Sequence, residues 1–508
     1  MKSSTNSVSI ARNTIFLYFR MMITMLISLY TSRVVLQILG IDDFGLYAVV
    51  GGVVGLFSFI NNALSTSSSR FLTFELGKNK STKLRQTFNT LLNIHLLITI
   101  VVALLSETVG LWFVYNKLAI PAGRLDAAVW VYHLSVLSAV VTIAQVPYNA
   151  AIISHEKMNV FAYVSIVDVS LKLGIVYLLK IGSFDKLVLY AGLVCLVTII
   201  IALFYYYYCK TRFPETQYQF VFDKDMLRSV GGFSGWSLFG SLTYALNSHG
   251  TNIITSMFFG PGVVTARAIS VQVNMTAMQF VQNFRMAVNP QIIKKYAAED
   301  YEGSKSLLLD STKFSFYLML LLGLPIILLS ESLLQLWLGQ VPEYSVIFLK
   351  LIIIQSLFQV FDSSFLTALH AKGRLRENAL ISPLVAAIRF LTVYFLFRAD
   401  FSPVVLSYTG IVSFAIVGLI IKPVLLNWIV GYSYRDIICV FVSCLKVSLV
   451  SIPIPIFVNN LFENTIANFI IVCATSIVCV LTAVFYIGIS AEVRNKVLVF
   501  AKVRFFKH

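Results

Sequence analysis

The sequence predicts an all-α protein that crosses a membrane many times. Three observations predict this fold class. Hydrophobic residues make up 58% of the 508 residues and charged residues 12%, whereas soluble domains are roughly half apolar and a quarter charged. The apolar residues fall into roughly fourteen runs of about 20 residues, the length a bilayer span requires. The connections between these runs are short. Soluble, disordered, collagen-like and coiled-coil classes are thereby excluded. The six cysteines are scattered without a CxxC or a His/Cys cluster, which removes a disulfide scaffold and a zinc site.

In order, the spans are 10–38, 44–66, 86–109, 127–152, 160–180, 187–209, 229–258, 263–289, 308–331, 345–369, 377–398, 403–428, 437–458 and 466–488. Turn residues mark the connections at Gly40-Ile-Asp-Asp, Pro121-Ala-Gly, Gly260-Pro-Gly and Gly339-Gln-Val-Pro. The polar start (MKSSTNSVSIARNTIF) lacks a small-residue cleavage site and reads as a retained first helix. Tyr205 to Tyr208 read as an interfacial belt.

The net charge is +16. In a soluble protein that excess would indicate nucleic acid, but its distribution here gives a different reading. The connections on one side hold 25 Lys and Arg, and those on the other hold only Lys117, Arg124, Lys180, Lys186 and Arg398. Positive residues stay inside, so both termini are expected in the cytoplasm and the span count is even. The stretch 210–228 reads as a cytoplasmic linker, and the basic tail 489–508 as an amphipathic segment on the inner leaflet.

A repeat is visible at an offset of 220 residues: LQILGIDDFGLY (36–47) corresponds to SMFFGPGVVTAR (256–267). Each copy has a first helix, a glycine turn and a more polar second helix. Six spans return the chain to its starting side, so the halves are parallel repeats. The expected organisation is a six-helix lobe 1–209, the linker 210–228, a second six-helix lobe 229–428, two further helices within 429–488, and the tail.

Polar side chains are costly in hydrocarbon and mark functional surfaces. They concentrate in the first two spans of each half. Asn13, Arg20, Thr24, Ser28 and Thr31 form one face of the first span. Asn61, Asn62 and the run Ser65 to Arg70 end the second. Asn247, Ser248, His249, Thr251 and Asn252 lie in the seventh. Arg267, Asn274, Gln282, Arg285 and Asn289 stripe the eighth. Such stripes line a water-filled cavity or a tight polar interface. The economical arrangement is a central cavity made cationic by Arg20, Arg267 and Arg285, with Arg70 near its inner mouth and no acidic residue in these spans. Arg engages phosphate through two hydrogen bonds, so an unpaired cationic cavity points to an anionic cargo.

Other charges read differently. Asp168 and Lys172 are four residues apart and are expected to neutralise each other. Asp362 reads as a lone carboxylate, a candidate proton or cation site, with Arg389 as the alternative partner. His95, His133 and His249 read as isolated helix residues. Ala48, Gly51, Gly52 and Gly55 form a small-residue strip for close helix packing. Prolines inside spans, such as Pro147 and Pro325, permit kinks. The sequence carries no P-loop and no catalytic constellation, so neither ATP hydrolysis nor an enzyme is expected.

Four segments are similar to the polysaccharide-transporter branch (Wzx-type O-antigen or capsule-repeat flippases) of the multidrug/oligosaccharidyl-lipid/polysaccharide superfamily. They are SRVVLQILGIDDFGLYAVVGG (32–52), SSSRFLTFELGKNKSTKLRQTFNTLLNIH (67–95), NPQIIKKYAAEDYEGSKSLL (289–308) and LWLGQVPEYSVIFLKL (336–351). The resemblance implies two six-helix lobes plus two C-terminal helices. It also implies flipping of an undecaprenyl-pyrophosphate-linked oligosaccharide across a bacterial inner membrane by alternating access. The resemblance implies a cationic central cavity, which Arg20, Arg267 and Arg285 fit by type; the polar stripes themselves give the expected site as Arg20, Arg70, Arg267 and Arg285, with Asn61, Asn62, Asn247, His249, Asn274, Gln282 and Asn289. No cofactor is expected beyond a proton or sodium as coupling ion, with Asp362, Asp168 and Lys172 as candidates. Expected partners are the lipid-linked oligosaccharide, membrane lipids and a polysaccharide polymerase, with the chain monomeric and no nucleic acid bound. The competing readings are a cation-coupled multidrug exporter, disfavoured by the missing acidic residue in the first span, and a membrane-embedded glycosyltransferase or polymerase, disfavoured by short outer loops.

Overall fold

A computed structural model describes residues 2–77, 81–155, 157–181, 184–221, 245–374, 376–461, 466–489 and 494–495, with the side chains of 2–20 and of some other helix residues left undescribed. The expected start of the seventh span, most of the tail and the second half of the 210–228 linker lie outside these residues. All elements of the described chain are helical. Ten of its helices are long and apolar enough to cross a membrane.

Two compact units divide at Thr265. The first contains α1 (Lys2–Gly55), α2 (Ser58–Gly77), α3 (Thr82–Lys117), α4 (Leu125–Ser154), α5 (Met158–Leu178), α6 (Lys186–Arg212) and α7 (Thr251–Phe259). The helix α8 (Pro261–Ala297) leads into the second. That unit continues with α9 (Tyr301–Leu328), α10 (Ser330–Leu338), α11 (Ser345–Lys372), α12 (Arg376–Arg398), α13 (Val405–Val430), α14 (Tyr434–Leu461) and α15 (Ala467–Gly488).

Local chemistry sets several boundaries. Gly40 kinks α1 with φ 80° and ψ 175°, a conformation only glycine adopts readily. Gly260 ends α7 with φ 78° and ψ −179°. These two glycines are 220 residues apart and share one rare backbone state, so the sequence repeat is also a conformational one. Asp185 caps α6 by accepting from the backbone N–H of Leu187 and Val188 at 3.0 and 3.2 Å.

The second span differs from expectation. It runs as one helical path from Ile41 to Gly77 but is interrupted at 56–57, between α1 and α2. There the Phe57 N–H turns to the carbonyl of Val54 at 3.0 Å, a tight turn that breaks the α-helical ladder.

Apolar packing supplies the cohesion of the first unit, around Leu46, Val50, Val53, Val131 and Tyr132 and around Phe88, Leu91, Ala150 and Ile152. The beginning of the linker also belongs to this unit. Asn89 donates to the Gln217 carbonyl at 3.3 Å and accepts from the Gln219 N–H at 2.8 Å. Asn93 donates to the Val221 carbonyl at 2.9 Å and accepts from the Tyr218 hydroxyl at 3.1 Å. Residues 217–221 therefore lie as a strap along one face of α3.

Candidate functional site

Three groupings of polar side chains stand out, and each lies within a single unit. The first surrounds the break in the second span. Gly55 leaves room for His249: a Cβ there would stand 2.6 Å from its Nδ1. His249 and Asn247 both lie in a π-helical turn, Leu246–Gly250, that precedes α7. Such bulges recur at functional sites because they re-aim side chains. Beside the break is a cavity of about 280 Å³, lined by Tyr47, Asn61, Ser135, Ser138 and Thr142 among apolar groups. The Asn61 Oδ1 is buried there without a hydrogen-bond partner. Asn61 thus lines this cavity, His249 packs against Gly55 on the same cavity wall, and Asn247 shares the turn of His249. Arg20, Asn62 and Arg70 lie outside the described side chains.

The second grouping is where the two glycine turns meet. The Thr265 hydroxyl donates to the Ile41 carbonyl at 2.7 Å. Gly45 lies so close to Pro261 that a Cβ would stand 2.1 Å from its carbonyl oxygen. Gly262 faces the Asp42 carboxylate across an ordinary contact. The neighbouring Asp43 is held by Arg124, whose Nε donates at 2.9 Å. The same guanidinium also binds Asp185. Hydrogen bonding to Asp185, set against partial burial, raises the Arg124 pKa. Burial of Asp185 acts to raise its own pKa, but the bonds from Arg124 and from the α6 N-terminus outweigh it, and the net direction is downward. One arginine therefore clamps three connections whose residues are 81 and 61 positions apart. Sequence reasoning missed this cluster because nothing local announces it.

The third grouping lies in the second unit. The α8 stripe docks on α11. Ser270 donates to the Ser345 carbonyl at 3.1 Å, and the Ser356 hydroxyl donates to Asn274 Oδ1 at 2.7 Å. Arg285, only 7% exposed, donates to the Ser363 carbonyl and to Thr367 Oγ1. Thr367 in turn donates to Asn289 at 3.2 Å. The expectation of an unpaired Arg285 is corrected: its guanidinium is satisfied inside a polar helix–helix seam. Gln282 is exposed instead, because at 100° per residue it lies about 60° around the helix from Arg285 and Arg267.

Asp362 is likewise corrected. It is not a lone carboxylate, and its partner is Lys422 rather than Arg389. The Lys422 Nζ lies 3.0 Å from Asp362 Oδ1 and also donates to Asn378. Lys422, near the end of the expected span 403–428, is 1% exposed. Gly418 brings its helix this close: a Cβ there would meet the Phe358 carbonyl at 2.8 Å. The π-helical turn Val417–Ile421 directly precedes the lysine. The signal for its burial was present in sequence, since apolar residues flank Lys422 on both sides. Arg389 instead donates to the Leu406 carbonyl at 3.4 Å and lies close enough to Arg267 for the two to repel. Asp168 and Lys172 do pair, at 2.9 Å. His133 is not isolated, because Glu107 stands 3.0 Å from its Nδ1. Among the described residues no His/Cys/Asp/Glu group has the geometry of a metal site.

No family model matches the sequence, and no curated protein does. Solved structures do match. A lipid II flippase, MurJ, in an inward closed conformation superposes with a TM-score of 0.65 at 13% identity, over 92% of this chain and 97% of that one. An inward-facing multidrug resistance MATE transporter gives 0.67 at 12% identity, over 83% and 99%. A superfamily transporter from Pyrococcus furiosus, described as having a binding pocket of reverse polarity, gives 0.56 at 13%, over 82% and 94%. At such identities the likeness establishes the architecture, and it does so over nearly the whole chain. This multi-pass membrane protein therefore has the fold of the multidrug/oligosaccharidyl-lipid/polysaccharide superfamily, the one shared by MurJ-type flippases and MATE transporters.

Proposed function

We propose that the chain flips an undecaprenyl-pyrophosphate-linked oligosaccharide from the cytoplasmic to the outer leaflet. One observation carries this reading: within the second unit Lys422 pairs with Asp362 and Arg285 lies near the same carboxylate, both cations being buried, while Arg267 and Arg389 lie close to each other. Cations in excess within a membrane protein favour an anionic cargo and oppose a cationic drug. Similarity to a lipid II flippase fold supports the same direction. In this reading Arg20 and Arg267 take the pyrophosphate. Asn61, Asn247 and His249 take sugar hydroxyls beside the broken helix. Arg285 and Lys422 supply the field rather than direct contacts. The contact of the two glycine turns is the closed outer gate.

Asp362 carries its own counter-ion in Lys422, so a coupling ion is sought elsewhere, or the membrane potential alone resets the carrier. The experiment is translocation in liposomes. The purified chain is reconstituted with a lipid-linked oligosaccharide, and the sugar is detected outside by an impermeant lectin. Appearance that depends on the chain, and is lost in Arg267→Ala with insertion intact, supports the proposal. No appearance, together with export of cationic dyes by the same vesicles, overturns it in favour of a MATE-type exporter.

A further inference from the structure

A cleft of about 330 Å³ opens between the beginnings of α9 and α14, in the second unit and away from every grouping above. Its walls carry Glu302, Lys305, Asp310, Lys313 and Asp436, and Leu309 and Val440 line it as well. The charges are layered. Lys305 lies 2.6 Å from Asp436 and 3.6 Å from Glu302, and Lys313 lies 3.1 Å from Asp310. The lysine side chains are 21% and 26% exposed, and the carboxylates 36%, 88% and 52%. The carboxylates are therefore the more exposed charges of the cleft and the lysines the more covered. Eight residues along α9 place Lys313 about 12 Å farther along the helix axis than Lys305. From the same end of α14 a stripe of exposed apolar residues runs onward: Ile438, Val442, Leu445 and Leu449. Spacings of four, three and four put them on one face of the helix.

We propose that this cleft holds the headgroup of a zwitterionic phospholipid with a primary ammonium, its acyl chains lying along the α14 stripe. The ammonium meets Glu302 and Asp436, where three hydrogen-bond donors match exposed carboxylate oxygens. The phosphate lies toward Lys313. An anionic headgroup without an ammonium would meet these exposed carboxylates with like charge, and a trimethylated one would lack the donors. Metal binding does not compete, because the carboxylates do not converge. The site is independent of the cargo, so its failure and the failure of the flippase reading are separable.

Native mass spectrometry of the full chain in detergent, titrated with phosphatidylethanolamine, phosphatidylglycerol or phosphatidylcholine, tests the proposal. Phosphatidylethanolamine is expected to be retained at least fivefold more than either other lipid. Glu302→Gln, at a fully accessible side chain, and Asp436→Asn are each expected to erase that preference. Equal or stronger retention of phosphatidylglycerol, or an unchanged preference in Glu302→Gln, would overturn it.

Discussion

Alanine at Gly45 drives the two glycine turns apart. Its Cβ would stand 2.1 Å from the Pro261 carbonyl oxygen and 2.5 Å from Thr265 Oγ1, where ordinary contact begins at 3.4 Å. The obstruction is backbone, so the turns must separate by about 1.3 Å. That separation lengthens the Thr265–Ile41 hydrogen bond beyond a useful distance. Overpacking of this kind costs about 1–3 kcal/mol. If the contact is the closed gate, its population relative to the open state falls by roughly 5- to 150-fold. The assay is labelling of a cysteine placed at Asp42 by an impermeant maleimide, with the exposed Cys439 replaced. Gly51→Ala is the control, since a Cβ at Gly51 meets nothing within 4 Å. Labelling is expected to accelerate at least fivefold in Gly45→Ala alone. Equal rates in both variants, at equal levels of inserted protein, would refute the gate assignment.

Three other outcomes are expected. Lys422→Met leaves Asp362, 24% exposed, without its ion-pair partner and should cost roughly 1–3 kcal/mol, below the ~3–5 kcal/mol of a fully buried pair, with most of it recovered in the Asp362→Asn/Lys422→Met double variant; thermal melting in detergent measures both. Asp185 has a depressed pKa in the folded chain. Its contribution is therefore fully present above the ordinary carboxylate value of about 3.9 and is lost as the pH falls through the lower folded value. Asp185→Asn should melt lower than wild type at neutral pH by no more than about 1 kcal/mol, and the two melting curves should converge under strong acid. Asn93→Ala removes two bonds to the strap, so limited proteolysis should cut within 217–221 faster than in wild type, while Asn116→Ala, whose bond stays within its own helix, should not change it.

Much of the fold could be read from residues alone because membranes impose period and length together. Gly40 and Gly260 announced turns, and their matching torsions followed from one shared need: a reversal that only a residue without a Cβ makes cheaply. The polar stripe of α8 was equally legible, but its meaning was not. Arg285 and Asn289 fit a cavity wall and a helix seam equally well in sequence, and only the hydroxyls of α11 decide between them. The pairing of Lys422 with Asp362 was not legible, because the two residues lie on different helices and nothing in their spacing links them. The Arg124 clamp could not be foreseen, since ion pairs across distant connections leave no periodic trace. The break at 56–57 has no proline to announce it, and the packing of His249 against the adjoining Gly55 belongs to tertiary structure.

The asparagines that hold the strap have a practical consequence for anyone dividing this protein. Asn89 and Asn93 lie on a membrane-spanning helix, and the amides they present are bonded by a piece of chain just beyond the sixth helix. A fragment that stops at Arg212 would leave Asn93 without its strap partners and Asn89 with only its bond to the Arg85 carbonyl, and is expected to aggregate. One extended through Val221 brings its own insulation, and co-expression of separate halves should begin from that junction.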